Sequence, residues 1–133
     1  MKTVFLSGPI KGISRDESLA WRDEARKLLK EKFNVVHALR GREVKETLPD
    51  SRIAIQRDKA DILRSDVILI NDTSPSTSMI GTSMEVLFAF ENNKLVVVFG
   101  SAHAQDYWLL YHSHVRFNNL KEACKFLNKS YHD

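Results

Sequence analysis

The chain has 133 residues, 43% of them hydrophobic, which is enough for one buried core and too short for two. Its net charge of +3 is spread without a long basic run, which argues against a nucleic-acid partner, and the single cysteine, Cys124, excludes an intrachain disulfide. No apolar run approaches the roughly 20 residues of a membrane span and the N-terminus lacks a signal-peptide pattern, so the expectation is one soluble, cytoplasmic domain without a membrane partner.

In chain order, Val4, Phe5 and Leu6 read as a short buried strand, turned by Ser7-Gly8-Pro9-Ile10-Lys11-Gly12. Ser14 and Glu17 have capping-box spacing and open a helix with Trp21, Ala25, Leu28 and Leu29 on its apolar face. A second strand runs from Phe33 to Ala38, followed by a polar loop holding Arg40 and Arg42. Asp50 and Ser51 start a second helix, for which Ile55, Ile62 and Leu63 are expected inward. Val67 to Asn71 is the third strand. The polar loop after it leads to a helix with Ile80, Met84, Leu87 and Phe88 at helical spacing. Leu95 to Phe99 is a fourth strand, Trp108 to Leu110 a short helix and Val115 to Phe117 a short edge strand. Asn119 with Glu122 caps the last helix, on whose apolar side Cys124 falls.

This alternation predicts an α/β class over residues 1–133: a single flavodoxin-like, doubly wound domain with a mainly parallel sheet of five strands in the order 2-1-3-4-5 and helices on both faces. Ligands of such sheets bind in the crevice beyond the carboxyl ends of the strands. The loops there supply Ser7, Gly8, Lys11 and Gly12, then Arg40 and Arg42, then Asn71, Asp72, Ser76 and Ser78, with Glu85 following. No glycine-rich dinucleotide or P-loop fingerprint is present, so no nucleotide cofactor is expected. The histidines His103, His112, His114 and His132 have no metal-ligand spacing, and surface or hydrogen-bonded roles are expected for them.

Phe5-Leu6-Ser7-Gly8-Pro9-Ile10, Asp58 with Asp66 eight residues on, and Gly81-Thr82-Ser83-Met84-Glu85 together resemble the nucleoside 2-deoxyribosyltransferases and the related 2'-deoxynucleoside 5'-phosphate N-hydrolases. The resemblance spans residues 2 to 99, and its most specific part is Gly-Thr-x-x-Glu. It implies that Glu85 is the nucleophile that traps the sugar as a glycosyl ester, and that Asp58 binds substrate and delivers a proton. It also implies that Ser7 to Gly12, Arg40, Arg42, Asn71, Asp72, Ser76, Ser78, Gly81 and Thr82 line the substrate pocket. Transfer to another base, or to water, would then follow. Lys11 and Pro75-Ser76 match phosphate-contacting positions of the N-hydrolases, which keeps a monophosphate N-glycosidase as the close alternative. Asp66, at a strand start, is expected to be structural.

Two positions depart from the family pattern. A tyrosine of the first strand is Phe5 here, and an aspartate six residues before the nucleophile is Met79. The missing hydroxyl would also suit an inactive nucleotide-binding or sensing module. A flavin-binding electron carrier fits less well, because the first loop is poor in Ser and Thr. The apolar, aromatic Trp108-Leu109-Leu110-Tyr111, with the oligomers typical of the family, predicts a homodimer or larger with the Glu85 helix or the Trp108 segment at its interface.

Overall fold

In the computed structural model, which describes residues 1–133, strands and helices alternate along the whole chain. The elements are β1 (Lys2–Ser7), α1 (Arg15–Leu29), β2 (Phe33–His37), α2 (Ser51–Arg64) and β3 (Val67–Asn71). They continue with α3 (Ile80–Glu91), β4 (Leu95–Phe99), α4 (Tyr107–Tyr111), β5 (Val115–Phe117) and α5 (Leu120–Ser130). The five strands form one sheet in the order β2-β1-β3-β4-β5, and every neighbouring pair is parallel. The fold class and strand order expected from the alternation are therefore both found.

Because side chains alternate across a strand, the sheet sends one set of residues to each face. Val4, Leu6, Val67, Leu69, Val97 and Phe99 pack with Ala25 and Leu29 of α1 and Ala123, Cys124 and Leu127 of α5. Phe5, Ile68, Ile70, Val96 and Val98 pack against Ile62 of α2, Val86 and Ala89 of α3 and Leu109 of α4. Near-continuous β-branched runs are what a strand covered on both faces requires. Helix starts are fixed by the short polar residues that the sequence points to: Ser14 accepts from the Glu17 amide, Asp50 from Arg52, and Asn119 from Glu122.

Two helices present a different face from the one expected. On α2, Ala54 and Ile62 point inward, whereas Ile55 and Leu63 are exposed. On α3, Thr82, Val86 and Ala89 are buried, while Ile80 and Met84 lie on the surface at 72% and 68% exposure. Helical spacing identifies a stripe but not the side that meets the sheet, and α3 carries an apolar stripe on each side.

The end of β3 is held to β4 and β5 by a buried polar tie. Asp72 is fully buried, with Arg116 of β5 at 2.8 Å on one oxygen and the His103 ring at 2.6 Å on the other. Its backbone carbonyl meets the Ala102 amide at 2.9 Å, which brings the chain after β4 tightly against β3. Gly100 makes that approach possible: its φ is +96°, and a Cβ there would stand 2.4 Å from the Asp72 carbonyl oxygen.

Candidate active site

The order β2-β1-β3 places the switch in chain direction between β1 and β3, and the crevice opens beyond their carboxyl ends. Ser7, the last residue of β1, points to the α2–α3 side and is buried. Its hydroxyl donates a 2.6 Å hydrogen bond to Oε1 of Glu85, which sits in the second turn of α3. Asp58, in the middle of α2, completes the group: its carboxyl lies within hydrogen-bonding reach of Glu85, and its Oδ1 is shut off from solvent without another partner. Residues far apart in sequence thus put two carboxyl groups and one hydroxyl at a single point.

The environment favours a shared proton. Burial pushes the Glu85 carboxyl up to about 8, and the nearby Asp58 charge adds to the rise while the Ser7 hydroxyl and Arg22 oppose it. Burial likewise pushes Asp58 up to about 6, against the Glu85 hydrogen bond and the charges of Arg57 and Arg42. Two carboxyls this close cannot both ionise cheaply, so near neutral pH the pair carries one negative charge and one proton. The higher value of Glu85 puts the resting proton on it and the charge on Asp58, while the Ser7 hydroxyl and the charge of Arg22 favour the reverse arrangement. Moving that one proton to Asp58 leaves Glu85 as the anion.

The hydroxyl missing from the first strand has a replacement. Phe5 is fully buried among Ile62, Ile68 and Ile70 and takes no part in the site. Ser7, two residues later and on the same face of the strand, is the hydroxyl that meets Glu85. Ser7 was expected to contact substrate, and its hydroxyl is instead committed to the carboxyl pair. Met79, where the family pattern has an aspartate, occupies the cap position of α3 without capping it.

Other expected site residues divide into three groups. Gly8 and Pro9 are buried, Ile10 is partly exposed, and Lys11 and Gly12 are exposed, so the first loop walls the crevice with Lys11 as a free cation at its rim. Thr82 is buried and Gly81 exposed at the start of α3, while Ser76 and Ser78 are exposed on the loop before it. Asn71 lies against Gly8, where a Cβ would come within 3.0 Å of it, and its side-chain oxygen accepts from the Thr73 amide and hydroxyl. The third group is engaged by protein partners. Asp72 is the buried tie to His103 and Arg116. Arg40 places its guanidinium at 2.7 Å from both oxygens of the buried Asp61, which Arg64 also meets. Arg42 pairs with Glu46 and donates to the Ala38 carbonyl.

Asp66 is structural, as expected: its carboxylate accepts from the Thr3 amide at 2.9 Å and ties β3 to β1. Of the histidines, His103 pairs with Asp72, His114 accepts from the Val96 amide through Nδ1, and the His112 ring bonds the Trp108 carbonyl.

Two buried residues escaped the sequence reading. Arg22 is 1% exposed on α1, and His37, at the end of β2, is 2% exposed. Burial, with the charges of Arg22 and Arg26, pulls His37 down to about 4, so it is neutral at physiological pH. For Arg22 a signal was available: it stands three and seven residues before Ala25 and Leu29, on the stripe that faces the sheet.

No family model matches the chain, and no curated protein matches it in sequence. Solved structures do. A 2-deoxyribosyltransferase from Leishmania mexicana superposes with a TM-score of 0.76 at 15% identity, covering 98% of this chain and 99% of that one. A 2-deoxyribosyltransferase from Bacillus psychrosaccharolyticus gives 0.73 at 14% identity, over 90% of this chain and 88% of that one. This is the fold of the 2-deoxyribosyltransferases. The CMP N-glycosidase BcmB of Clostridium botulinum shares it at a TM-score of 0.60 and 20% identity, over 96% of this chain and 99% of that chain. The deoxyribosyltransferase fold thus extends to an enzyme that acts on a nucleotide, and to this chain from end to end.

Raised carboxyl values have a consequence for stability. A folded state that binds protons more tightly than the unfolded chain is fully favoured below the ordinary carboxylate range, and it loses that advantage as pH rises through about 6 to about 8. Glu85→Gln removes the second ionisation. The variant is expected to melt close to the parent at pH 5 and above it at pH 8.5, by differential scanning calorimetry at both values. A variant that melts below the parent at pH 8.5 would contradict the carboxyl pairing.

Proposed function

We propose that the protein cleaves the N-glycosidic bond of a nucleoside or nucleotide through Glu85. The observation that carries this reading is the Asp58–Glu85 carboxyl pair, with the Ser7 hydroxyl on Glu85, at the switch point of a deoxyribosyltransferase fold. Departure of a base leaves positive charge on the sugar. The Glu85 carboxylate stabilises that charge and closes on the anomeric carbon to form a glycosyl ester. The shared proton, moved onto Asp58 as Glu85 becomes the carboxylate, passes to the leaving base, whose electron pair would otherwise have to be released as an anion. In the second half the ester is attacked by another base or by water, and Asp58 takes a proton back. Transfer to a base is the preferred outcome, matching the two transferases with the same fold.

Glu85→Gln keeps the shape and removes the nucleophile. Base release from a panel of nucleosides and monophosphates, followed by chromatography, is expected to fall by about a thousandfold or more, or ~4 kcal/mol at about 1.4 kcal/mol per tenfold. Near-parental release by the variant would sink the assignment.

One observation favours the monophosphate alternative. Lys11 is exposed on the first loop with no ion-pair partner, and Arg15, Arg42 and Arg57 converge on the chain after β2, Arg15 donating to the Arg42 carbonyl and Arg42 and Arg57 both to the Ala38 carbonyl. Lys11→Met is expected to weaken monophosphates by about tenfold or more, the scale of a charged hydrogen bond, while sparing nucleosides. Equal effects on both classes of substrate would return Lys11 to the solvated surface.

A second copy of the chain is proposed to complete the site. The outer faces of α3 and α4 leave Ile80, Met84, Trp108, Leu110 and Tyr111 more than half exposed, and a groove runs between the two helices beside Met84, Leu87, Trp108 and Leu109. Large aromatic residues of this kind are typical of interface cores. Glu85 is on the same helix, so a partner seated there lies next to the crevice. Sedimentation at micromolar concentration is expected to give a dimer or larger, and Trp108→Glu to dissociate it and reduce activity. An active parental monomer of 15.3 kDa would show the crevice complete in one chain.

A further inference from the structure

We infer that Arg22 is a positioning residue for the carboxyl pair: its buried guanidinium holds the Ser7–Gly8 turn from the α1 side and supplies the standing positive charge against which Asp58 and Glu85 share their single negative one. The consequence for rate rests on the glutamate-nucleophile reading; the placement of the charge does not.

Arg22 is the only arginine or lysine in the chain that is fully withdrawn from solvent. Isolated buried charges are costly and are normally paired directly. The partly buried Arg40, Arg42 and Arg116 follow that rule, each against a carboxylate. Arg22 does not. Its Nη1 donates to the Ser18 carbonyl at 2.8 Å and its Nη2 to the Gly8 carbonyl at 3.1 Å, and its Nε has no partner. The guanidinium also lies over the Trp21 ring at 4.6 Å.

The two carbonyl bonds alone do not call for an arginine, since a neutral amide could supply them. What a neutral side chain lacks is the charge, and the charges that answer it are Glu85 first and Asp58 second. Burial lowers Arg22 to about 10, which leaves it a cation throughout the physiological range. The geometry links it to the same two groups by a short covalent path. Gly8, whose carbonyl it holds, directly follows Ser7, whose hydroxyl holds Glu85. Of the other groups facing this centre, His37 on β2 is kept neutral partly by Arg22 itself. Arg57 and Arg42 act on Asp58 from the other side, and Asp61 opposes them. Arg22 is therefore the fully buried cation whose charge reaches Glu85, and it holds the residue next to the serine that bonds that carboxyl.

The test is a carboxyl carbon NMR titration of the full chain, parent against Arg22→Gln, Arg22→Met and Arg22→Lys, alongside the pH profile of base release. Loss of the charge is expected to move the midpoints of both Asp58 and Glu85 upward. The whole bell of kcat/KM would then move to higher pH, and activity on its acid side would fall about tenfold for every pH step of one that it travels. Arg22→Lys keeps a charge set further back and is expected to move the midpoints less than the neutral variants. If Arg22→Met does not fold, Arg22→Gln decides, because it keeps an amide donor for the Gly8 carbonyl without the charge, and unchanged midpoints there overturn the inference. A rate loss equal at all pH values, with unmoved midpoints, would reduce Arg22 to a purely structural anchor. Raised midpoints in a protein that releases no base from any substrate would uphold the charge and refute the reaction.

Discussion

A hydrogen bond from the hydroxyl of Ser7 to the carboxyl of Glu85 joins the first strand to the third helix across 78 residues of chain. That contact exists only because β1 and β3 are neighbours in a parallel sheet, with the chain returning through α2 between them. The same return brings Asp58 alongside. The site is thus a property of strand order before it is a property of any loop. Its electrostatics follow from the same place: a sheet buried on both faces ends in a crevice of low polarity, where two carboxyls compete for ionisation.

Much of this was visible in the residues, for reasons that differ from element to element. Strands such as Val67–Ile70 stand out because a strand covered on both faces must be apolar throughout. Ser14, Asp50 and Asn119 mark helix starts because a short polar side chain there satisfies an amide the helix cannot. Glu85 and Asp58 came from a family resemblance; spacing alone gives no reason to prefer one helix-borne carboxyl over another, and the crevice brings them together only in three dimensions.

What was not legible has physical causes too. Asp72, Arg40 and Arg42 lie in the right loops, but a loop position does not reveal which partner a charged side chain finds. Asp61 and Arg116, on different elements, claimed Arg40 and Asp72. The stripe of Ile80 and Met84 was correctly periodic and turned outward, because Val86 and Ala89 offered the sheet a smaller surface to pack against. Arg22 was hidden by the ordinary assumption that arginines face water.

The tie between Gly100, Asp72 and Arg116 bears on how such a framework diversifies. It anchors β5, a strand of only three residues whose side chains are none of them fully buried, through backbone fit and charge. The hydrogen bond that orients Glu85 draws on β1, and the carboxyl beside it on α2, so no residue beyond α3 holds the pair in place. Mutational drift in the last third of the chain can therefore remodel the pair's surroundings without disturbing the two carboxyls. A lineage built this way can reshape its crevice while inheriting the carboxyl pair unchanged.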